Sequence, residues 1–141
     1  MPHYRLAFLG FGNVGRALVQ LLESKRAELK SQYDLDFTIT GLATRRLGWH
    51  ARPEGYAPTA LGAGDLGTAL APWDALTLAD WLARAQADVL FENTSMNPHT
   101  GQPAIDYIRA ALNAGVHVIS ANKYPVTQTA HPRCRPAALQ F

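Results

Sequence analysis

The chain opens on an apolar run whose period changes after a cluster of glycines. Residues 4–9 are almost continuously apolar, which is typical of a short strand buried on both faces. After the glycines, apolar residues recur at helical spacing on one face, at Val14, Leu18, Leu21 and Leu22. The pattern predicts a strand, a glycine loop and a helix from Val14 to about Ser31.

The rest of the chain alternates between short apolar strands and amphipathic helices. Three further strands are predicted over 36–43, 88–92 and 116–120, and two further helices over 73–86 and 102–114. Gly115 ends the last helix. The segment 45–67, rich in Gly, Pro and Ala, is predicted to be a long loop with one short helix. This alternation predicts a single α/β domain, a Rossmann-like doubly wound parallel sheet with helices on both faces.

The glycine cluster is Gly10-Phe11-Gly12-Asn13-Val14-Gly15, and it lies between the first strand and the helix. In that context the spacing predicts a dinucleotide site. One glycine permits the turn, one lets the backbone approach a pyrophosphate, and one lets the helix pack closely. The helix N-terminus offers N–H groups to the phosphates. The alternative is a tight turn without a ligand, and the flanking strand and helix favour the dinucleotide.

Three of the predicted strands end in candidate binding residues, most of them polar, at the end where an open α/β sheet binds its ligands. They are Thr44, Arg45 and Arg46; Glu92, Asn93, Thr94 and Ser95; and Ala121, Asn122 and Lys123. We expect them to line one crevice. The second strand ends without a carboxylate for the ribose, because Asp34 and Asp36 precede it. Arginine pairs with a 2′-phosphate, so the sequence favours NADP(H). NAD is the alternative if both arginines are solvated loop residues.

The composition limits the kinds of ligand and partner that the chain is expected to bind. The chain has 141 residues and a formal net charge of +2, and its scattered basic residues argue against nucleic acid. Cys134 is the single cysteine, which excludes an internal disulfide. No histidine has a second ligand at metal spacing, so no metal site is predicted, and His99 lies nearest the crevice. Without an apolar run of about 20 residues or a leader, the sequence predicts a cytoplasmic protein that does not enter a membrane.

The segment from Phe91 to Val126 carries a more specific pattern, a helix, a glycine, a strand and then Ala121-Asn122-Lys123. Together with Glu92-Asn93-Thr94-Ser95 and the glycine loop, it resembles homoserine dehydrogenases over about residues 4–126. The resemblance implies NAD(P)-linked interconversion of L-homoserine and L-aspartate 4-semialdehyde, on the route to threonine, isoleucine and methionine. It places Lys123 near nicotinamide and substrate as the catalytic residue. A lysine there can stabilise a developing alkoxide or exchange its proton; the alternative is a solvated lysine at a strand end.

The resemblance and the glycine loop together give a predicted cofactor-binding set. Its members are Gly10, Phe11, Gly12, Asn13, Val14, Gly15, Thr44, Arg45, Arg46, Asn93, Thr94, Ser95, Ala121, Asn122 and Lys123. Thr94 and Ser95 are expected at the nicotinamide ribose, and Asn122 at the turn or the cofactor.

Residues 1–126 are predicted to form the NAD(P)-binding domain, and residues 127–141 an irregular tail with little resemblance to the family. Family members continue into a second domain with further substrate contacts, a second lysine, a carboxylate and the dimer interface. The sequence therefore fits a truncated form, or a reading frame that leaves the family near residue 127. The resemblance implies a homo-oligomer, and a chain that binds cofactor but catalyses poorly alone. Two other functions stay open: another Rossmann oxidoreductase, or a non-catalytic dinucleotide-binding module.

Overall fold

The computed structural model describes residues 2–63, 77–94 and 99–122, which build an α/β fold around a five-stranded sheet. The strands are β1 (His3–Leu9), β2 (Asp36–Thr44), β3 (Gly48–Ala51), β4 (Val89–Glu92) and β5 (His117–Ser120). The helices are α1 (Asn13–Ser24), α2 (Arg26–Tyr33), α3 (Pro58–Ala63), α4 (Leu78–Ala85) and α5 (Ala104–Asn113). The strands lie side by side in the order β3-β2-β1-β4-β5.

The sheet is parallel except at one edge. Strand β1 pairs in parallel with β2 and β4, and β4 pairs in parallel with β5. Strand β3 runs antiparallel to β2. This confirms the predicted Rossmann-like sheet but corrects the prediction of a wholly parallel one. Only three residues join β2 to β3, which suffices for a hairpin, whereas a parallel return needs a dozen or more.

The hairpin also corrects the prediction of a long loop over 45–67. Its first part is the β2–β3 turn and β3, where Trp49 and His50 are buried. The predicted short helix is α3, and residues 64–67 lie outside the described residues. A four-residue strand with two large buried side chains has no period to detect, so its sequence pattern did not reveal it.

Helices cover the sheet from both sides and bury two apolar layers. Helices α4 and α5 pack on one side, against a cluster that includes Leu9, Trp49, Trp81, Leu90, Ile108 and Val118. Helix α1 lies on the other side, where the cluster includes Leu6, Phe8, Val19, Phe37, Ile39, Leu42 and Phe91. In β2 the register with β1 skips Thr40, and this bulge keeps both Ile39 and Leu42 on the α1 side.

The first helix differs from its prediction in its buried face and in its length. Val14 and Leu21 are exposed, at 59% and 54% of their surface, whereas Gly15 and Val19 are buried. The continuous helix predicted to Ser31 is interrupted at Lys25, between α1 and α2. The hydroxyl of Ser24 donates to the carbonyl of Leu21 at 2.8 Å, a local bond of the kind that bends helices.

The later elements lie close to their predicted positions. Helix α5 and strands β4 and β5 match within two residues, and Gly115 has a φ of 79°, as a helix-ending glycine should. Helix α4 begins at Leu78 and not near residue 73, because extended Thr77 caps it by accepting a bond from Asp80 N. Residues 73–76 lie outside the described residues.

An apolar groove of about 420 Å³ opens on the α1–α2 side of the sheet, towards β4 and β5. Leu22, Leu29, Phe91 and Ile119 are among the side chains that line it, and Ile119 is 44% exposed. Across the described ranges, the structure contains no helix with the length and apolar character that crossing a membrane requires.

Candidate dinucleotide site

The C-terminal ends of the four parallel strands meet at one edge of the sheet. Leu9, at the end of β1, is level with Ala43 of β2 and with Glu92 of β4, and Glu92 is level with Ser120 of β5. The four segments that leave these strands therefore begin side by side. This is the edge at which an open α/β sheet binds its ligands.

Backbone hydrogen bonds continue past the strand ends and fix these segments to one another. Gly10 N donates to Ala43 O at 2.8 Å, and Asn93 N donates to Leu9 O at 2.8 Å. Ala121 N donates to Glu92 O at 3.0 Å. The crevice floor is therefore a continuation of the sheet.

The three glycines of the loop meet three different surroundings. Gly10 has a φ of +87°, and a Cβ there would lie 2.8 Å from Asn93 O. A Cβ on Gly15 would lie 3.2 Å from Gly10 O and 3.0 Å from the ring of Phe11. A Cβ on Gly12 would meet no atom within 4 Å. The fold thus excludes a side chain at Gly10 and leaves little room for one at Gly15, whereas Gly12 leaves open space at the start of α1.

That open space faces the N-terminus of α1, where the first amides have no helical carbonyl to bond. Gly12 occupies the N-cap position, no side chain caps the helix, and its first turn has no acidic residue. The side chain of Phe11 packs edge-on against Phe8, so only its backbone remains for a ligand. A phosphate would find free N–H groups and the positive end of the helix dipole here.

A cluster of polar side chains joins the ends of β4 and β5 around the carboxylate of Glu92, which is fully buried. Its Oε1 accepts from Thr94 N at 2.9 Å and also from the Thr94 hydroxyl. Its Oε2 accepts from Ser120 Oγ at 2.7 Å. Asn122 Nδ2 donates to both oxygens, at 3.1 and 3.0 Å, and to Thr94 O at 2.9 Å. Glu92 and Asn122 therefore cross-link the segments that follow the two strands.

The end of β2 carries the two arginines expected to choose the cofactor. Thr44 Oγ1 accepts from Leu47 N at 2.9 Å and closes the turn to β3. Arg45 and Arg46 are exposed in that turn, and neither forms an ion pair with any carboxylate that the structure describes. Their guanidinium groups are thus available to an anion beside the glycine loop.

Asp36 is excluded from the crevice by its position at the opposite end of β2, level with His3. Its carboxylate accepts from Phe37 N at 2.8 Å and from Arg26 at 2.7 Å. The Phe37 amide and the charge of Arg26 hold the pKa of the Asp36 carboxyl below its usual value. Asp36 is therefore part of a structural ion pair, and no carboxylate ends β2.

The structure brings most of the predicted cofactor-binding residues to this edge: Gly10, Phe11, Gly12, Asn13, Val14, Gly15, Thr44, Arg45, Arg46, Asn93, Thr94, Ala121 and Asn122. Ser95 and the predicted catalytic Lys123 lie outside the described residues, as does Cys134. His99 is exposed, and His50 is buried in β3. In the ranges that the structure covers, no three His, Cys, Asp or Glu side chains gather around a possible metal position.

Glu92 is the residue whose importance the sequence analysis missed. It is the acidic residue at the end of β4 and lies outside the predicted cofactor-binding set. A carboxylate at the end of an apolar strand is conspicuous, because burying a charge without partners is costly. Thr94 is close in sequence, but Ser120 and Asn122 come from the end of another strand, 28 and 30 residues away, so the strand pattern alone does not identify them.

Comparison with known proteins gives the same family over most of the chain. The family model described as "Homoserine dehydrogenase, NAD binding domain" matches residues 10–139. An NAD(+)-dependent homoserine dehydrogenase of Pseudomonas canavaninivorans is 32% identical over 152 residues, with 100% of this chain and 43% of the relative covered. A homoserine dehydrogenase of Sulfurisphaera tokodaii is 29% identical, with 86% of this chain and 34% of the relative covered. The chain thus spans less than half the length of these relatives.

Solved structures share the fold at lower identity. A hyperthermophilic archaeal homoserine dehydrogenase mutant in complex with NADPH aligns with a TM-score of 0.69 and 17% identity, over 96% of this chain and 42% of that one. A homoserine dehydrogenase of S. aureus, in its structure at pH 7.0, aligns with a TM-score of 0.58 and 24% identity. The alignment covers 87% of this chain and 27% of that one. The open glycine, the uncapped helix and the family match together lead to one conclusion: the chain belongs to the NAD-binding domain family of homoserine dehydrogenases, whose cofactor is a nicotinamide dinucleotide.

Proposed function

We propose that this chain is the cofactor-binding portion of an NAD(P)-dependent homoserine dehydrogenase and that it prefers NADP(H). The reaction interconverts L-homoserine and L-aspartate 4-semialdehyde. The observation that carries the proposal is the edge where the glycine loop, the uncapped N-terminus of α1 and the ends of β2, β4 and β5 meet. If the glycine loop is a turn without a ligand, the chain binds no dinucleotide. If the chain is a non-catalytic module, it binds a dinucleotide, and a longer form of the protein shows no turnover.

Each part of the edge has a role in holding the cofactor. The amides that begin α1 bind the pyrophosphate, in the space that Gly12 leaves open. Arg45 and Arg46 bind the phosphate on the adenosine ribose, beyond the end of β2. Thr94, Ser95 and Asn122 hold the nicotinamide ribose beyond β4 and β5. When bound, the nicotinamide ring donates or accepts the hydride.

Lys123 is proposed to act on the substrate oxygen, because it follows Asn122 directly at the end of the β5 segment. A lysine cation there stabilises the developing alkoxide and exchanges the proton as the carbinol and the carbonyl interconvert. Residues 1–126 are proposed as the binding domain and 127–141 as a separate tail. A cytoplasmic location, predicted from the apolar pattern, and a homo-oligomer, implied by the resemblance, stay predictions.

The cofactor preference is tested by titrating the chain with NADPH and with NADH. In the double variant Arg45→Gln/Arg46→Gln we expect NADPH affinity to fall roughly ten-fold or more, because a charge-assisted contact to the 2′-phosphate contributes about 1.5–3 kcal/mol. NADH affinity should change little. Arg84→Gln, which removes an exposed arginine on α4, is the matched control and should alter neither affinity.

Equal wild-type affinity for NADPH and NADH would contradict the preference and leave the dinucleotide site intact. The name of the Pseudomonas canavaninivorans relative, an NAD(+)-dependent enzyme, favours that outcome. The exposed arginines and the lack of a carboxylate at the end of β2 favour the proposed preference for NADP(H).

A further inference from the structure

We propose that Glu92 is a positioning residue for the nicotinamide half of the cofactor. Its buried carboxylate holds the segments after β4 and β5 in one arrangement, so that Thr94 and Asn122 are in place before the cofactor binds. Glu92 itself does not reach the ligand, because its side chain has no solvent exposure. This inference rests on the proposed function, since it assigns a role within that same site.

The donors around the carboxylate show why it controls both segments. Every hydrogen bond that the structure describes to it comes from a neutral group, a backbone amide, two hydroxyls or a side-chain amide. Asn122 also donates to Thr94 O, and Asn122 N donates to Ser120 Oγ at 3.1 Å. Bonds to a charged acceptor are stronger than neutral ones, so the carboxylate is the centre of the cluster.

The topology assigns this cluster to the nicotinamide side. A dinucleotide crosses such a sheet where the strand order reverses, which here is between β1 and β4. With the pyrophosphate at α1 and the adenosine beyond β2, the remaining nucleotide lies beyond β4 and β5. The cluster joins those two strand ends, whereas the glycine loop bonds to β2 through Gly10 N and Ala43 O.

A purely structural carboxylate would behave differently, and the partly buried Asp88 offers a comparison. Asp88, directly before β4, lies at the opposite end of that strand and accepts from Arg5 N at 2.8 Å. Replacing Asp88 by Asn alters a carboxylate that contacts the backbone but lies away from the crevice. It should change stability without changing how the two halves of a dinucleotide are bound.

The test compares Glu92→Gln, Asp88→Asn and wild type in titrations with NADPH, NADH and ADP. The glutamine keeps one acceptor oxygen but turns a donor group towards the Ser120 hydroxyl and the Asn122 amide. We expect binding of the preferred dinucleotide to weaken roughly ten-fold in Glu92→Gln, the scale of one charge-assisted bond. ADP, which lacks the nicotinamide nucleotide, should bind within about two-fold of wild type, and Asp88→Asn should leave the ratio of the two affinities unchanged.

Backbone amide hydrogen exchange measures the positioning directly. In Glu92→Gln we expect exchange at Thr94 and Asn122 to rise at least about ten-fold, with Gly10 unchanged, because only the first two amides have acceptors in the cluster. If Glu92→Gln does not fold, Ser120→Ala removes one donor to the carboxylate, and exchange at Thr94 should rise about three-fold. Thr94 is the readout in this variant, because Ser120 Oγ itself accepts from Asn122 N.

Three results in Glu92→Gln would overturn the inference. They are unchanged affinities for the dinucleotide and for ADP, an equal fall in these two affinities, and unchanged amide exchange at Thr94 and Asn122. The proposed function fails in a different way. In that case wild type itself binds neither NADPH nor NADH, whatever the variants do.

Discussion

At the scale of single residues, the glycine loop separates what the fold requires from what a ligand requires. Gly10 combines a φ of +87° with a backbone carbonyl 2.8 Å from the position of any Cβ. Gly12 has neither constraint, since its Cβ position is open. The described packing therefore gives no reason for glycine at position 12, whereas the proposed pyrophosphate site does.

This difference predicts opposite effects of two similar changes. Gly10→Ala should lower the free energy of unfolding by more than about 2 kcal/mol, because it adds both strain and a backbone clash. Gly12→Ala should lower it by less than about 1 kcal/mol. Urea unfolding of both variants measures the two values, and equal losses would contradict these assignments.

Asn93 shows where residue-level prediction from the sequence stops. The strand pattern correctly places it at the end of β4 and so at the crevice. Its carbonyl is the group that excludes a side chain at Gly10, and its Nδ2 is buried without a partner among the residues described. Both facts depend on how two loops approach each other, which spacing along the chain does not encode.

At the scale of elements, the sequence predicted the parallel strands and missed the hairpin strand. Strands buried between two helix layers are largely apolar, and this made β1 and β4 recognisable. Strand β5 is short and less buried, with Val118 inside and His117 exposed. Strand β3 is four residues long and depends on distant partners: Trp49 packs 5.1 Å from Trp81, ring centre to ring centre. The buried face of α1 was predicted only in part. Leu18 and Leu22 pack against the core, whereas Val14 and Leu21 lie on a second apolar side that is exposed.

The contact between α4 and the hairpin gives a prediction at this scale. Trp81 is fully buried, and its Nε1 donates to His50 O at 2.7 Å. Trp81→Phe keeps an aromatic ring but removes the donor and part of the volume, so the free energy of unfolding should fall by about 1–3 kcal/mol. Arg84→Gln on the exposed side of α4 should change it by less than about 0.5 kcal/mol in the same urea experiment.

At the scale of the whole molecule, the ends of the sheet have different roles. The C-terminal ends of the strands carry exposed arginines, an uncapped helix and the Glu92 cluster, which are features of a binding edge. The N-terminal ends carry ion pairs and backbone contacts, with Arg26 bound to Asp36 and to Phe37 O. Because strand direction follows from the topology, the sequence was sufficient to predict which end of the sheet carries the exposed arginines and the glycine loop.

The ion pair at the N-terminal end predicts how stability depends on pH. The folded chain holds the pKa of Asp36 below its ordinary value of 3.8, through the Phe37 amide and then Arg26. The carboxylate therefore stabilises the fold above the ordinary pKa, and this stabilisation is lost as pH falls through the lower folded pKa. Asp36→Asn should flatten the acid side of the stability curve below about pH 4.

Thermal unfolding between pH 2 and 7 checks this, with Glu54→Gln as the control. Glu54 is 76% exposed and 3.9 Å from Arg52, so its removal should leave the acid side of the curve unchanged. A curve for Asp36→Asn that parallels wild type over the whole range would contradict the role of the pair.

The most direct test of the central claim, that this edge binds a nicotinamide dinucleotide, is a calorimetric titration of wild type and Gly12→Ala with NADPH and NADH. We predict saturable binding of one dinucleotide per wild-type chain and a clear loss of affinity in Gly12→Ala, whose melting temperature without ligand stays close to that of wild type. No binding by wild type, or equal binding by both proteins, would contradict the claim.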